Sequence, residues 1–93
     1  MIKTFASKQA EKVFLRQSVL KFSRDLQRMA LRKLLVLDAA ERLDDLRVPP
    51  GNQLEKLGGK RQGQYSIRVN DQWRICFRWH AGDAYDAEIA DYH

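Results

Sequence analysis

A change of hydrophobic period halfway along the chain constrains the fold more than any other feature. Before Pro49-Pro50-Gly51-Asn52 apolar residues recur at helical spacing, and after it they alternate. Ser7 is a candidate N-cap for a helix in which Ala10, Val13, Phe14 and Gln17 recur. Ser23 is a second N-cap candidate, with Asp25 in the first turn, where a negative charge suits the helix dipole. Leu26, Met29, Ala30, Leu34, Leu37 and Ala40 then form an apolar stripe that no Gly or Pro interrupts. Ile2 and Phe5 suggest a short opening strand. Beyond the break, Tyr65, Ile67 and Val69 alternate with Ser66, Arg68 and Asn70, and Trp73, Ile75, Phe77 and Trp79 alternate with Arg74, Cys76 and Arg78. Asn70-Asp71 predicts a two-residue hairpin turn, His80-Ala81-Gly82-Asp83 predicts a second turn, and Tyr85, Ala87 and Ile89 alternate with Asp86, Glu88 and Ala90. The expected class is α+β: an antiparallel meander with two N-terminal helices packed on one face.

Length and composition narrow the range of functions. At 93 residues the chain is a single domain, 1–93, with enough length for one modest core. Hydrophobic residues at 44% and charged residues at 31% exclude a disordered chain. No apolar run approaches the ~18 residues of a membrane span, so no membrane partner is expected. Met1-Ile2-Lys3-Thr4-Phe5 lacks the apolar stretch of a signal peptide, and Cys76 is the single cysteine; a cytoplasmic protein without disulfides is expected. His80 and His93 stand far apart without neighbouring ligands, so no metal site is expected.

Seventeen Lys and Arg against twelve Asp and Glu give a net charge of +5, which makes a polyanion, nucleic acid first, the natural partner class. The charges are also segregated. Gln53 to His80 holds Lys56, Lys60, Arg61, Arg68, Arg74 and Arg78 against Glu55 and Asp71, whereas Ala81 to His93 holds Asp83, Asp86, Glu88 and Asp91 and no Lys or Arg. The two segments are expected to face each other in part. Alternation places Arg68, Arg74, Arg78, Asp86, Glu88 and Tyr92 on the sheet face away from the helices. Such arginines either pair with cross-strand carboxylates on a solvated face or bind phosphate. Arg74, mid-strand between aromatic-rich core positions, favours phosphate; Arg78 favours pairing. The loop Leu54-Glu55-Lys56-Leu57-Gly58-Gly59-Lys60-Arg61-Gln62-Gly63 suits either close approach to a phosphate backbone or a purely structural role, and it matches no P-loop or dinucleotide fingerprint. Asp91-Tyr92-His93 adds a phenol and an imidazole that can work near neutral pH. Cys76 shares the arginine face by parity and suits a small buried filler.

These residues form a familiar pattern. Leu54 to Gly59, Gly63-Gln64-Tyr65-Ser66-Ile67-Arg68-Val69-Asn70-Asp71-Gln72-Trp73-Arg74-Ile75-Cys76-Phe77, the opening Met1 to Phe5, Leu37-Asp38-Ala39-Ala40, Leu46 to Asn52 and the terminal Asp91-Tyr92-His93 together resemble the RelE superfamily of bacterial toxins. The resemblance is to its HigB-type branch, the plasmid maintenance system killer family, and covers essentially the whole chain. It implies a RelE-like β-α-α-β-β-β domain that is the toxin of a type II toxin–antitoxin pair. It further implies a ribosome-dependent mRNA interferase that enters the A site of the 30S subunit, beside 16S rRNA, and cleaves mRNA by 2′-hydroxyl attack without metal or cofactor. The implied partner is a HigA-like helix-turn-helix antitoxin, through which alone the toxin would reach operator DNA.

Carried over by position, the resemblance makes Arg74 the ligand of the scissile phosphate, Glu55 the candidate base, and His93 or Tyr92, beside Asp91, the acid or an orienting group. Lys56, Lys60, Arg61, Arg68 and Arg78 become RNA contacts. Many members carry Lys-Gly where this chain has Gly58-Gly59, which implies a slower toxin unless Lys56 or Lys60 reaches the same point. Two other readings are a toxin of the same architecture that binds DNA gyrase without catalysis, and a weakened toxin that retains only antitoxin binding.

Overall fold

The structure is a computed structural model, described here for residues 1–91; Tyr92 and His93 lie outside the described residues. Helix α1 (Lys8–Phe14) starts where Ser7 Oγ accepts the N–H of Ala10, and α2 (Arg24–Ala39) where Ser23 Oγ accepts that of Leu26, the two caps expected from the sequence. α1 ends earlier than its periodicity suggests. Gln17 N–H donates to Lys12 O at 2.8 Å while Arg16 adopts a left-handed conformation, so Gln17 lies beyond the helix.

The sheet comprises β1 (Glu55–Lys56), β2 (Tyr65–Arg68), β3 (Trp73–His80) and β4 (Asp83–Asp91), in that spatial order and antiparallel throughout. The opening strand is reduced to two isolated parallel bridges, Ile2 with Ala84 and Phe5 with Ala87, along β4. In exchange, the loop before the main hairpin contributes the two-residue β1 as the opposite edge. The hairpin turn after β2 also differs from expectation. Asn70 Oδ1 accepts the N–H groups of Gln72 and Trp73 at 2.9 and 2.8 Å, and Val69 N–H reaches Trp73 O. The side chain thus builds a longer Asx-type turn, with Arg68 pairing with Arg74, in place of a two-residue turn that needs positive φ. The β3–β4 turn does use positive φ, at Ala81 and Gly82.

Helices and sheet meet across a core in which Leu34, Leu37, Leu46, Ile67, Ile75 and Phe77 are wholly buried, each worth roughly 1.5–3 kcal/mol. Tyr65, Val69, Trp73 and Trp79 pack on the same side, as alternation predicts. Among the described residues no helix is long and apolar enough to cross a membrane.

Between the two layers' ends runs a connection pinned by one residue. Asn52 is completely buried; its Nδ2 donates to Leu46 O and Val48 O at 3.2 and 3.3 Å, and its Oδ1 accepts from Lys33 Nζ on α2. Gln53 follows in the left-handed region at φ 44°, which turns the chain into β1.

Candidate active site

The face of the sheet opposite the helices is not a solvated surface at its centre. Ser66, Arg74, Cys76 and Ala90, all on this face, are buried. One cross-strand row reads Glu55, Ser66, Cys76, Glu88, with carboxylates at both ends, and the next reads Arg68, Arg74, Ala90. Arg74 lies diagonally from Ser66, and its Nε donates to Ser66 Oγ at 2.7 Å. Its Nη2 donates to Gln53 O and, at 3.4 Å, to Ser66 O. Among the described residues these bonds engage Nε and Nη2 of a fork that carries further donors. The guanidinium is therefore fixed on a central strand, a geometry suited to bidentate anion binding.

Glu55 stands 4.0 Å from Arg74 Nη2, and the two differ in access: the Arg74 side chain is 10% exposed and that of Glu55 54%. Both line an open hollow of about 460 Å³ with Gln53, Arg68, Asn70 and Asp71. Arg68 is tied to Asp71 in the hairpin turn. Lys33 approaches from the α2 side. Burial, followed by the charges of Arg32 and Arg68, holds its ammonium below the ordinary lysine value.

The basic loop builds a second hollow of about 520 Å³ from Leu57, Gly58, Lys60, Arg61 and Asp91. Arg61 reaches across the sheet to Glu88 Oε1 at 2.7 Å and to Gln64, so the expected meeting of basic and acidic segments includes one of the candidate RNA contacts. Asp91 accepts from Gln72 Nε2 at 3.1 Å, which ties the end of β4 to the hairpin turn. Lys56 and Lys60 are exposed. Arg78 pairs with Asp86 at 3.6 Å, as its position favoured. The candidate residues Glu55, Arg68 and Arg74 thus converge on one hollow and Lys60, Arg61 and Asp91 on the other, whereas Arg78 lies further along β3 and lines neither. The proposed roles of Tyr92 and His93 fall outside the described residues.

Two of the loop glycines have backbone reasons to be glycine. Gly59 has φ +59°, and Gly63 has φ +89° with the Arg78 guanidinium where a Cβ would lie. Gly58 has neither: its backbone is extended and a Cβ there would meet nothing within 4 Å. Gly58→Lys is therefore expected to fold like the native chain. On the mRNA cleavage that the resemblance implies, it is expected to raise the rate about tenfold, the worth of one added charge-assisted contact. Single-turnover cleavage of a defined mRNA measures this, and an unchanged rate would discard the view that this glycine slows the enzyme.

Nothing in the sequence marks Gln53, Ser66 or Asn52 as site residues. Ser66 was visible only as a polar position in the alternation, and the contribution of Gln53 is a main-chain carbonyl that no residue type advertises.

The architecture thus sets a clamped arginine and an accessible carboxylate over one open hollow, an arrangement suited to a phosphate-bearing ligand. The same fold occurs in a chain of the YoeB–YefM complex from Staphylococcus aureus, with a TM-score of 0.58, 17% identity, and coverage of 100% of this chain and 98% of that one. A second structure of that toxin–antitoxin complex, a heterotetramer, gives a TM-score of 0.62 at the same identity and coverage. The family follows from sequence: a model described as the RelE-like toxin HigB of type II toxin–antitoxin systems matches residues 3–93, and the chain belongs to this HigB-like toxin family. Toxin HigB-1 of Vibrio cholerae is 49% identical over 59 residues, 63% of this chain and 62% of that protein. Endoribonuclease HigB of Proteus vulgaris is 46% identical over 41 residues, 44% of this chain and 45% of that protein. The matched stretches thus span less than two thirds of these relatives' lengths.

Proposed function

We propose that this protein is the toxin of a type II pair and acts as an endoribonuclease that cuts mRNA in the ribosomal A site. The observation that carries it is the Arg74–Glu55 pair, a buried, clamped cation beside an accessible carboxylate. A phosphodiester in the hollow would set its non-bridging oxygens on the free edge of the guanidinium. Glu55 takes the proton from the adjacent 2′-hydroxyl, the 2′-oxygen attacks phosphorus, and the bond to the 5′-oxygen breaks. A proton delivered to that oxygen, the role assigned to His93 or Tyr92, completes the step and leaves a 2′,3′-cyclic phosphate and a 5′-hydroxyl. The protein's part is positioning and stabilisation of developing negative charge. Membership in the HigB-like family and the name of the Proteus relative support RNA as substrate. A HigA-like antitoxin with a helix-turn-helix would complete the pair, and would carry the toxin to operator DNA.

The test is a toe-print of a defined mRNA on programmed ribosomes. The native chain should cut within the A-site codon. Glu55→Gln should cut about 100-fold more slowly while still sedimenting with ribosomes, because only the base is lost. Native-like cutting by Glu55→Gln would remove Glu55 from the chemistry. Failure of the native chain to bind ribosomes at all would favour a topoisomerase target.

A further inference from the structure

Arg78 and Lys56 are the candidate RNA contacts that line neither hollow, and the surroundings of Arg78 have a chemistry of their own. Between Cys76 and Arg78 the β3–β4 register shifts, and Asp86 adopts φ 55°. Thr4 holds this bulge: its hydroxyl accepts Asp86 N–H at 2.8 Å and donates to Asp86 Oδ1 at 3.3 Å. As a result Ala84 and Ala87, three residues apart, are both completely buried, and the two residues between them both face outward. Tyr85, which plain alternation would set on the opposite face from Asp86, instead pairs across the strands with Arg78. Its ring stands 6.5 Å from that of His80 and is inclined to it by 59°, so the two rings form the angled walls of a notch. Thr4, Arg78 and Asp86 complete an open hollow of about 430 Å³.

A half-buried tyrosine and an exposed imidazole beside an arginine, on the same strand face as the Arg74 clamp, have the composition of a site for single-stranded nucleic acid. An acidic peptide fits less well, because Asp86 already occupies Arg78 Nε and adds negative charge to the notch. A base, in contrast, offers a π-face to Tyr85 and can present an exocyclic amino group to the Asp86 carboxylate. Arg74 and Arg78 are four residues apart on β3, about 13 Å at strand rise, or roughly two to four nucleotides of a single strand. Resting on the RNA-cleaving function proposed above, we propose that the Tyr85–His80–Arg78 notch holds an unpaired base of the mRNA two to four nucleotides from the phosphate bound at Arg74. The bulge at Asp86 is what creates this second anchor.

The test walks 2-aminopurine along an mRNA whose scissile 2′-hydroxyl is replaced by hydrogen, on programmed ribosomes with and without the full-length toxin. One position two to four nucleotides from the scissile phosphate should lose fluorescence when toxin binds. Tyr85→Phe should keep that loss and Tyr85→Leu should diminish it at least fivefold, in line with base–aromatic stacking. A flat walk with the native chain, or full quenching by Tyr85→Leu, would overturn the assignment even if Tyr85→Leu proved poorly folded, since the walk itself uses the native chain. Cleavage of the all-ribose mRNA is followed in parallel. Cleavage with a flat walk removes this notch and leaves the proposed function standing, whereas no cleavage with position-specific quenching does the reverse. A flat walk together with loss of antitoxin capture by Tyr85→Leu would reassign the notch to the protein partner.

Discussion

Arg74→Ala is expected to reduce mRNA cleavage by about 10²–10³-fold, the usual cost of removing a preorganised group that stabilises developing charge. The native guanidinium is fixed by Ser66 Oγ and the Gln53 carbonyl before any substrate arrives, so no reorganisation is needed as the phosphorane charge develops. Arg74→Lys separates charge from geometry. An ammonium keeps the positive charge but lacks the planar fork that spans Ser66, Gln53 and a phosphate at once, and its activity should stay within about tenfold of the alanine variant. Alanine also leaves the buried Ser66 hydroxyl and the Gln53 carbonyl without their partner, which costs about 1–3 kcal/mol of stability. Rates are therefore compared at saturating ribosomes and well below each variant's melting temperature. Cleavage by Arg74→Ala at the native rate, with stability alone reduced, would make Arg74 a structural clamp between β2 and β1 and leave the phosphate without its anchor.

What the sequence revealed of this site follows the range of each interaction. Cap residues, the apolar stripe of α2 and the alternation of β2 and β3 depend on neighbours a few residues away, and Ser7, Ser23, Ile67 and Phe77 fall where pattern alone puts them. Arg74 could be singled out from its strand position and Glu55 through the family resemblance, and their meeting needed β1, a two-residue strand too short to have a period. Tyr85 was hidden for another reason. Its outward position depends on a bulge held by Thr4, more than eighty residues away in sequence, and strict alternation across Asp86 carries no sign of it. The N-terminal segment follows the same irregularity: Ile2 and Phe5 meet Ala84 and Ala87 at the matching three-residue interval, and this appears as two bridges in place of a strand. The pairing of Arg61 with Glu88 and of Arg78 with Asp86 was foreseeable from charge segregation, but which arginine meets which carboxylate is set by register.

Asn52→Ala is expected to lower the melting temperature by roughly 10–20 °C, from a loss of about 2–3 kcal/mol in a domain of this size. The residue is polar, wholly buried and fully used: two main-chain carbonyls of the connection accept from its amide, and Lys33 donates to it from α2. Truncation strands the carbonyls of Leu46 and Val48, each an unsatisfied acceptor in or near the core. Asn52→Asp distinguishes the contributions, since a carboxylate keeps the acceptor for Lys33 but sets negative oxygen against those two carbonyls. It should be at least as unstable as the alanine variant at neutral pH, and near-native stability would show that the Lys33 contact outweighs the amide donors. The consequence reaches the site because Gln53, the next residue, lends its carbonyl to Arg74 from a left-handed conformation that the Asn52 anchor holds in place. Below its melting temperature, Asn52→Ala should therefore bind ribosomes normally and cleave more slowly, a split that a purely global loss of stability would not produce. Thermal melts and cleavage rates on the same preparations measure both effects.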